Sequence, residues 1–185
     1  MGETKWKLHK TVVLVGMMGS GKTAVGRELA LKLGVPFLDS DHEIETAAAM
    51  SIAEIFERDG EPFFRARETE VITRLLECHK CILSTGGGAF LQARNREVIS
   101  DTGVSVWLNA DLPLLWSRVK HKTTRPLLRT SDPRQTLSDL YDARIPQYRQ
   151  ADLSVQARPE YAIGDMADAV IAALATRPDV LEPLT

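Results

Sequence analysis

Gly16-Met17-Met18-Gly19-Ser20-Gly21-Lys22-Thr23 fits the pattern G-x-x-x-x-G-K-[ST] at every specified position. A loop of this kind wraps an anion. Gly19 and Gly21 let the backbone turn its N–H groups inward around Ser20, and the helix that follows aims its positive end at the same charge. Lys22 has the reach for the β- and γ-phosphates of a nucleoside triphosphate, and the Thr23 hydroxyl can ligate Mg²⁺. The match stands after a β-branched strand and before an amphipathic helical pattern, the setting such a loop requires.

Two carboxylates extend this chemistry. Metal-side aspartates commonly end an apolar strand. Cys81 to Ser84 is followed by threonine and glycine, whereas Val35 to Leu38 is followed by Asp39, so Asp39 is the candidate partner of Thr23 for the metal. Asp41 stands two residues on, where an extended chain puts both side chains on one side. It could accept the proton of an acceptor hydroxyl during phosphoryl transfer, or cap the helix running towards Met50.

Three further features bear on an acceptor site. Arg65 and Arg67 lie in Phe63-Phe64-Arg65-Ala66-Arg67-Glu68, two apart and facing different ways, and a solvated side chain is the default for either. Arg144 falls near the middle of the stripe formed by Leu137, Leu140, Tyr141 and Tyr148. A charge there must snorkel, pair with a protein carboxylate, or offer its fork to a substrate carboxylate. Gly86-Gly87-Gly88 follows a strand and permits close backbone approach to a ligand, or is simply a flexible turn. Arg118, Lys120, Lys122, Arg125 and Arg129 form a run with no acid between Asp111 and Asp132. The run reads as a solvated surface, or as a lid whose arginines neutralise phosphoryl charge. It lacks the interleaved aromatics of a nucleic-acid patch.

Short apolar strands at Thr11–Val15, Val35–Leu38, Cys81–Ser84, Val104–Leu108 and Leu153–Val155 alternate with helical patterns. The helices are expected at Lys22–Leu33, from Asp41 towards Met50, from Ser51 to Asp59-Gly60, from Pro62 to about Glu77, and over Gln92–Ser100. Others are expected from Asp111 to about His121, over Arg134–Tyr148 with Pro146 near its end, and over Glu160–Ala175. That alternation predicts βαβ units and a three-layer α/β/α fold with a five-stranded parallel sheet, covered on both faces. Ligands then bind outside the carboxyl ends of the strands, which carry Gly16 to Thr23, Asp39 to Asp41, Gly86 to Gly88 and Asn109 to Asp111. The 185 residues suit one domain, with a core over about 11–176, a loop over about 120–134, and loose ends including the tail beyond Arg177.

A net charge of −2 gives no bulk attraction to nucleic acid or anionic lipid. No apolar run approaches a membrane span, the start has no cleavable apolar segment, and Trp6 stands where a myristoylation motif needs Ser or Thr. The two cysteines, Cys78 and Cys81, lack a second ligand pair and read as reduced thiols of a cytoplasmic protein.

From Val12 to Leu174 the chain resembles the shikimate kinase family, in the nucleoside-monophosphate-kinase-like branch of P-loop enzymes. The P-loop alone would be generic. Its combination with Asp39-Ser40-Asp41, Phe64-Arg65, Gly86-Gly87-Gly88, Arg125-Pro126-Leu127-Leu128 and Arg144-Ile145-Pro146-Gln147-Tyr148 is specific. The resemblance implies a P-loop kinase fold with a mobile lid. It also implies transfer of the γ-phosphoryl of ATP to the 3-hydroxyl of shikimate, on the route to chorismate and aromatic amino acids. It implies Mg²⁺ at Thr23 and Asp39, the acceptor hydroxyls at Asp41, and the acceptor carboxylate at Arg65 and Arg144, with backbone contact at Gly87 between Gly86 and Gly88. Arg125 becomes the lid arginine facing the phosphates, and Arg118, Arg158 and Pro159 become adenine contacts. Ala24 stands where the family often has a second hydroxyl beside the α-phosphate. A monomer is expected, binding ATP and shikimate but neither nucleic acid nor membrane. The competing readings are a non-catalytic P-loop nucleotide-binding module and a sibling kinase acting on gluconate or a nucleoside monophosphate.

Overall fold

In the computed structural model, residues 5–78, 80–121 and 128–184 are described. Arg125, expected over the phosphates, and Lys122 of the basic run lie outside the described residues.

Five parallel strands form the centre. They are β2 (Thr11–Val15), β3 (Phe37–Asp39), β4 (Ile82–Ser84), β5 (Gly103–Asn109) and β6 (Leu153–Gln156), in the order β3-β4-β2-β5-β6. β2 pairs with β4 on one side and β5 on the other. The P-loop strand thus sits where the connections reverse direction, the place where open α/β sheets take their ligands. β2, β4 and β5 are buried almost throughout, as their unbroken apolar runs require. Asp152 ties β6 to β5: its Oδ2 accepts from the Ser105 backbone N–H at 2.9 Å and from the Ser105 hydroxyl at 3.1 Å.

The helices are α1 (Lys22–Leu33), α2 (Ser40–Ala48), α3 (Ile52–Asp59), α4 (Glu61–Cys78), α5 (Ala93–Thr102), α6 (Leu112–Val119), α7 (Pro133–Tyr148) and α8 (Ile163–Leu174). Val25, Leu29 and Leu33 are buried on α1, the face that their spacing specifies. Pro146 falls in the last turn of α7, where its missing N–H costs the helix one i→i−4 bond close to its end. The final helix begins at Ile163 rather than Glu160, because Asp165 reaches back to accept from the Ala162 N–H at 2.9 Å and fixes the first turn there.

The ends are not loose as expected. β1 (Trp6–Leu8) pairs antiparallel with β7 (Leu181–Pro183), and His9 Nε2 lies 2.7 Å from Glu182 Oε1. Leu8, Val180 and Leu181 are buried, so removal of apolar surface from water holds the two segments together. Strands of three residues carry too little periodicity to be recognised in isolation.

Candidate active site at the carboxyl ends of the strands

The loop leaving β2 has the backbone its glycines permit. Gly19 and Gly21 sit at φ 84° and 94°, a region that disfavours side chains. A Cβ on Gly19 would also lie 2.8 Å from Val119 Cγ1. α1 starts on Gly21 with no side-chain cap and no acid in its first turn, which leaves its positive end for an anion. Lys22 Nζ donates to the Gly16 and Met17 carbonyls at 2.7 and 3.2 Å. Thr23 and Ala24 are exposed on the first turn. The Ser20 hydroxyl is buried without a partner among the described residues. Arg118 comes from α6, distant in sequence, and its Nη1 donates to the Gly19 carbonyl at 3.0 Å. Arg158 and Pro159 follow β6 and are exposed, with the Arg158 guanidinium 5.8 Å from the Tyr161 ring centre.

The capping role falls on Asp39, not Asp41. Asp39 Oδ1 accepts from the Asp41 and His42 N–H groups at 2.9 and 3.3 Å, because β3 ends at Asp39 and α2 begins with the next residue. Its Oδ2 stays out of these bonds. Mg²⁺ usually takes one or two carboxylates together with phosphate and water oxygens. One free carboxylate oxygen and the Thr23 hydroxyl therefore fit its donor chemistry. No group of three or more His, Cys, Asp or Glu suited to a metal occurs among the described residues.

Gly86-Gly87-Gly88 is where the remaining candidates meet. A Cβ on Gly86 would lie 2.8 Å from both Asp41 carboxylate oxygens, and one on Gly87 would lie 2.9 Å from Arg144 Nη1. A Cβ on Gly88 would lie 2.9 Å from Arg65 Nη1 and closer still to Nη2. One carboxylate and two guanidinium groups, from α2, α7 and α4, thus crowd one turn, and a Cβ on any of its glycines would push one of these side-chain ends aside. Thr85 holds the turn against the P-loop strand, its hydroxyl donating to the Leu14 carbonyl at 3.0 Å.

The Asp41 pKa is raised from 3.8 to about 6, first by burial, then by the Asp39 and Glu68 charges, while Lys22 pulls the other way. Lys22 of the phosphate loop and Asp41 beside the glycine turn therefore share one field.

Glu68 was not anticipated. It is 1% exposed, and its two carboxylate oxygens accept from Arg65 Nη1 at 2.9 and 3.2 Å. Asn95 Nδ2 donates to the same carboxylate at 3.3 Å. Burial raises the Glu68 pKa against the opposing Arg65 charge. The i, i+3 spacing of Arg65 and Glu68 was the available signal. Arg67 faces away as its spacing requires, exposed and paired with Glu70 at 2.7 Å. A concavity of about 490 Å³ lies among α2, α3 and α4, lined by Ile44, Ile55, Phe63 and Val71 among others, and includes neither the P-loop nor the glycine turn. The chemistry is concentrated elsewhere.

A sequence model of the shikimate kinase family matches residues 18–175. A shikimate kinase of Ruegeria pomeroyi is 70% identical over 175 residues, 95% of this chain and 90% of the relative. The chain belongs to the shikimate kinase family. A shikimate kinase of Cereibacter sphaeroides is 63% identical over 95% of this chain and 88% of its own length. Among solved structures, shikimate kinase from Acinetobacter baumannii in complex with shikimate superposes with a TM-score of 0.80 at 43% identity, covering 88% of this chain and 90% of that one. The chain is an ATP-dependent kinase acting on shikimate, with the P-loop kinase fold.

Proposed function

We propose that the chain moves the γ-phosphoryl group of ATP to the 3-hydroxyl of shikimate, with the donor on the P-loop and the acceptor on the triple-glycine turn. The observation that supports this division most strongly is that Asp41, Arg144 and Arg65 each cover one glycine of that turn. Two guanidinium groups on one side suit a carboxylate, and a carboxylate on the other suits hydroxyls.

In this reading the backbone N–H groups of Gly19, Ser20 and Gly21, the Thr23–Ala24 turn and Lys22 hold the triphosphate. Thr23 and Asp39 hold Mg²⁺, which supplies charge neutralisation at the phosphate oxygens. Arg118, Arg158 and Pro159 bound the adenine. Arg65, Arg144 and the Gly87 N–H hold the shikimate carboxylate, with Gly86 and Gly88 giving the room. Asp41 orients the 3-hydroxyl and takes its proton as that oxygen bonds to the γ-phosphorus. The bond from the γ-phosphorus to the bridging oxygen breaks, and ADP leaves with the electron pair. Arg125, outside the described residues, is assigned to neutralise charge on the transferring group. The enzyme works as a cytoplasmic monomer, which size-exclusion chromatography with light scattering tests.

The decisive assay is ADP release with ATP, Mg²⁺ and a panel of shikimate, gluconate and nucleoside monophosphates. Turnover with shikimate is expected. Turnover with gluconate or a nucleoside monophosphate instead would mark a sibling kinase, and nucleotide binding without any acceptor phosphorylation would mark a binding module.

A further inference from the structure

Tyr148 ends α7 with 1% of its surface exposed, and a buried hydroxyl is tolerated when it has partners. Its O–H donates to the Gly87 carbonyl at 2.8 Å. Arg144, one turn back on the same helix, sits beside the phenol, and its charge and hydrogen bond oppose the upward push of burial on the phenol pKa. A phenol has one proton to give and lone pairs to receive. The proton goes to Gly87, which leaves the oxygen's lone pairs for the Arg144 charge beside it. The ring is stacked at 6.1 Å on Trp107, so the hydroxyl has a fixed origin.

The consequence lies in the peptide plane. The Gly87 carbonyl and the Gly88 N–H belong to one planar trans unit and point in opposite directions. Fixing the carbonyl on Tyr148 fixes the N–H facing the other way. The other carbonyls of the turn are also engaged, Gly86 by the Ala89 N–H at 3.1 Å and Gly88 by the Leu91 N–H at 3.2 Å. The N–H groups of Gly87 and Gly88 have no acceptor among the described residues. Among the described residues the hydrogen bonds of the three glycines therefore run through their oxygens, with the Gly87 and Gly88 donors left over beside two guanidinium groups.

We propose that Tyr148 is a positioning residue for the acceptor carboxylate: its hydroxyl locks the triple-glycine turn so that the N–H groups face the carboxylate, and it orients Arg144 towards the same point. The proposal rests on the reading of this turn as the carboxylate pocket.

Tyr148→Phe keeps the ring and its stacking on Trp107 and removes the hydroxyl. The shikimate KM should rise about tenfold, the scale of one lost buried hydrogen bond, with kcat and the ATP KM within about twofold, as for loss of uniform binding. The carboxamide of shikimate serves as the control ligand. The native enzyme should prefer the carboxylate, and Tyr148→Phe should narrow that preference. An unchanged shikimate KM overturns the proposal, as does an equal rise for carboxylate and carboxamide, which would reduce Tyr148 to a packing group. A native enzyme that treats both acceptors alike would refute the carboxylate pocket itself, and the proposal with it. Should the variant not fold, amide NMR of the native protein decides. Addition of shikimate should shift the Gly88 N–H and slow its exchange, and an unaffected Gly88 refutes the role.

Discussion

Asp41→Asn should abolish most activity and stabilise the free protein. The folded-state pKa of Asp41 is about 6 against an ordinary 3.8, and burial is the main cause. The folded chain therefore binds this proton more tightly than the unfolded chain, so stability falls as pH rises from about 4 through 6 and the cost persists above. A rise of that size corresponds to about 3 kcal/mol at pH 7.5. By the same relation the cost shrinks to about 1 kcal/mol at pH 4.5, where the carboxyl is largely protonated in the folded state. Asparagine has nearly the same shape and no charge. Urea unfolding of both proteins across this range should show the variant ahead by about 1–3 kcal/mol at pH 7.5, with the margin narrowing towards pH 4.5. Carboxylates that do not interact with Asp41 titrate alike in both proteins and cancel in the difference; Asp39 and Glu68, whose charges raise the Asp41 pKa, are relieved in the variant in the same direction. A variant that is less stable at pH 7.5, or whose advantage does not depend on pH, would refute the claim that a buried charge is held here at a cost to folding.

Further outcomes follow from the same geometry. The kcat/KM of the native enzyme should rise with pH through about 6, because Asp41 must be ionised to accept the hydroxyl proton, and a pH-rate profile that is flat from about pH 5 to about pH 7 contradicts this. Lys22→Ala should lower kcat by about 10²–10³-fold, since its charge is needed where phosphoryl charge develops, as single-turnover kinetics will show. Arg144→Ala should chiefly raise the shikimate KM, by about 10–100-fold for a lost charged hydrogen bond, and a pure kcat effect would contradict its place on the carboxylate. Leu181→Ala should cost about 2–5 kcal/mol by opening the packing beneath β7, read as a fall in Tm with kcat preserved.

The sequence carried the phosphate loop in full because its chemistry is contiguous: one strand, one turn and one helix end. The acceptor pocket is different. Asp41, Arg65 and Arg144 could each be picked out, but each reaches a particular glycine only through the packing of α2, α4 and α7 around one turn. Asp39 and Asp41 are equally good caps by type, and the choice depended on β3 ending at Asp39. Glu68 carried no sign of burial in the sequence, and it is the fold that buries it against Arg65 and Asn95. Tyr148 looked like core in the stripe that carries Arg144, and its stacking on Trp107 bears that out. Its hydroxyl has a second task because Gly87, 61 residues away, comes within 2.8 Å. β1 and β7 were illegible for the same reason, since neither has a reason to be a strand without its partner from the other end of the chain.

The central claim is that the acceptor lies on the triple-glycine turn with its carboxylate towards the arginines. A crystal structure of the protein with shikimate and ADP tests it directly. The account predicts the carboxylate within hydrogen-bonding distance of Arg65, Arg144 and the Gly87 N–H, and the 3-hydroxyl against Asp41. A reversed ring, with the carboxylate at Asp41, or shikimate seated away from the turn, would contradict it.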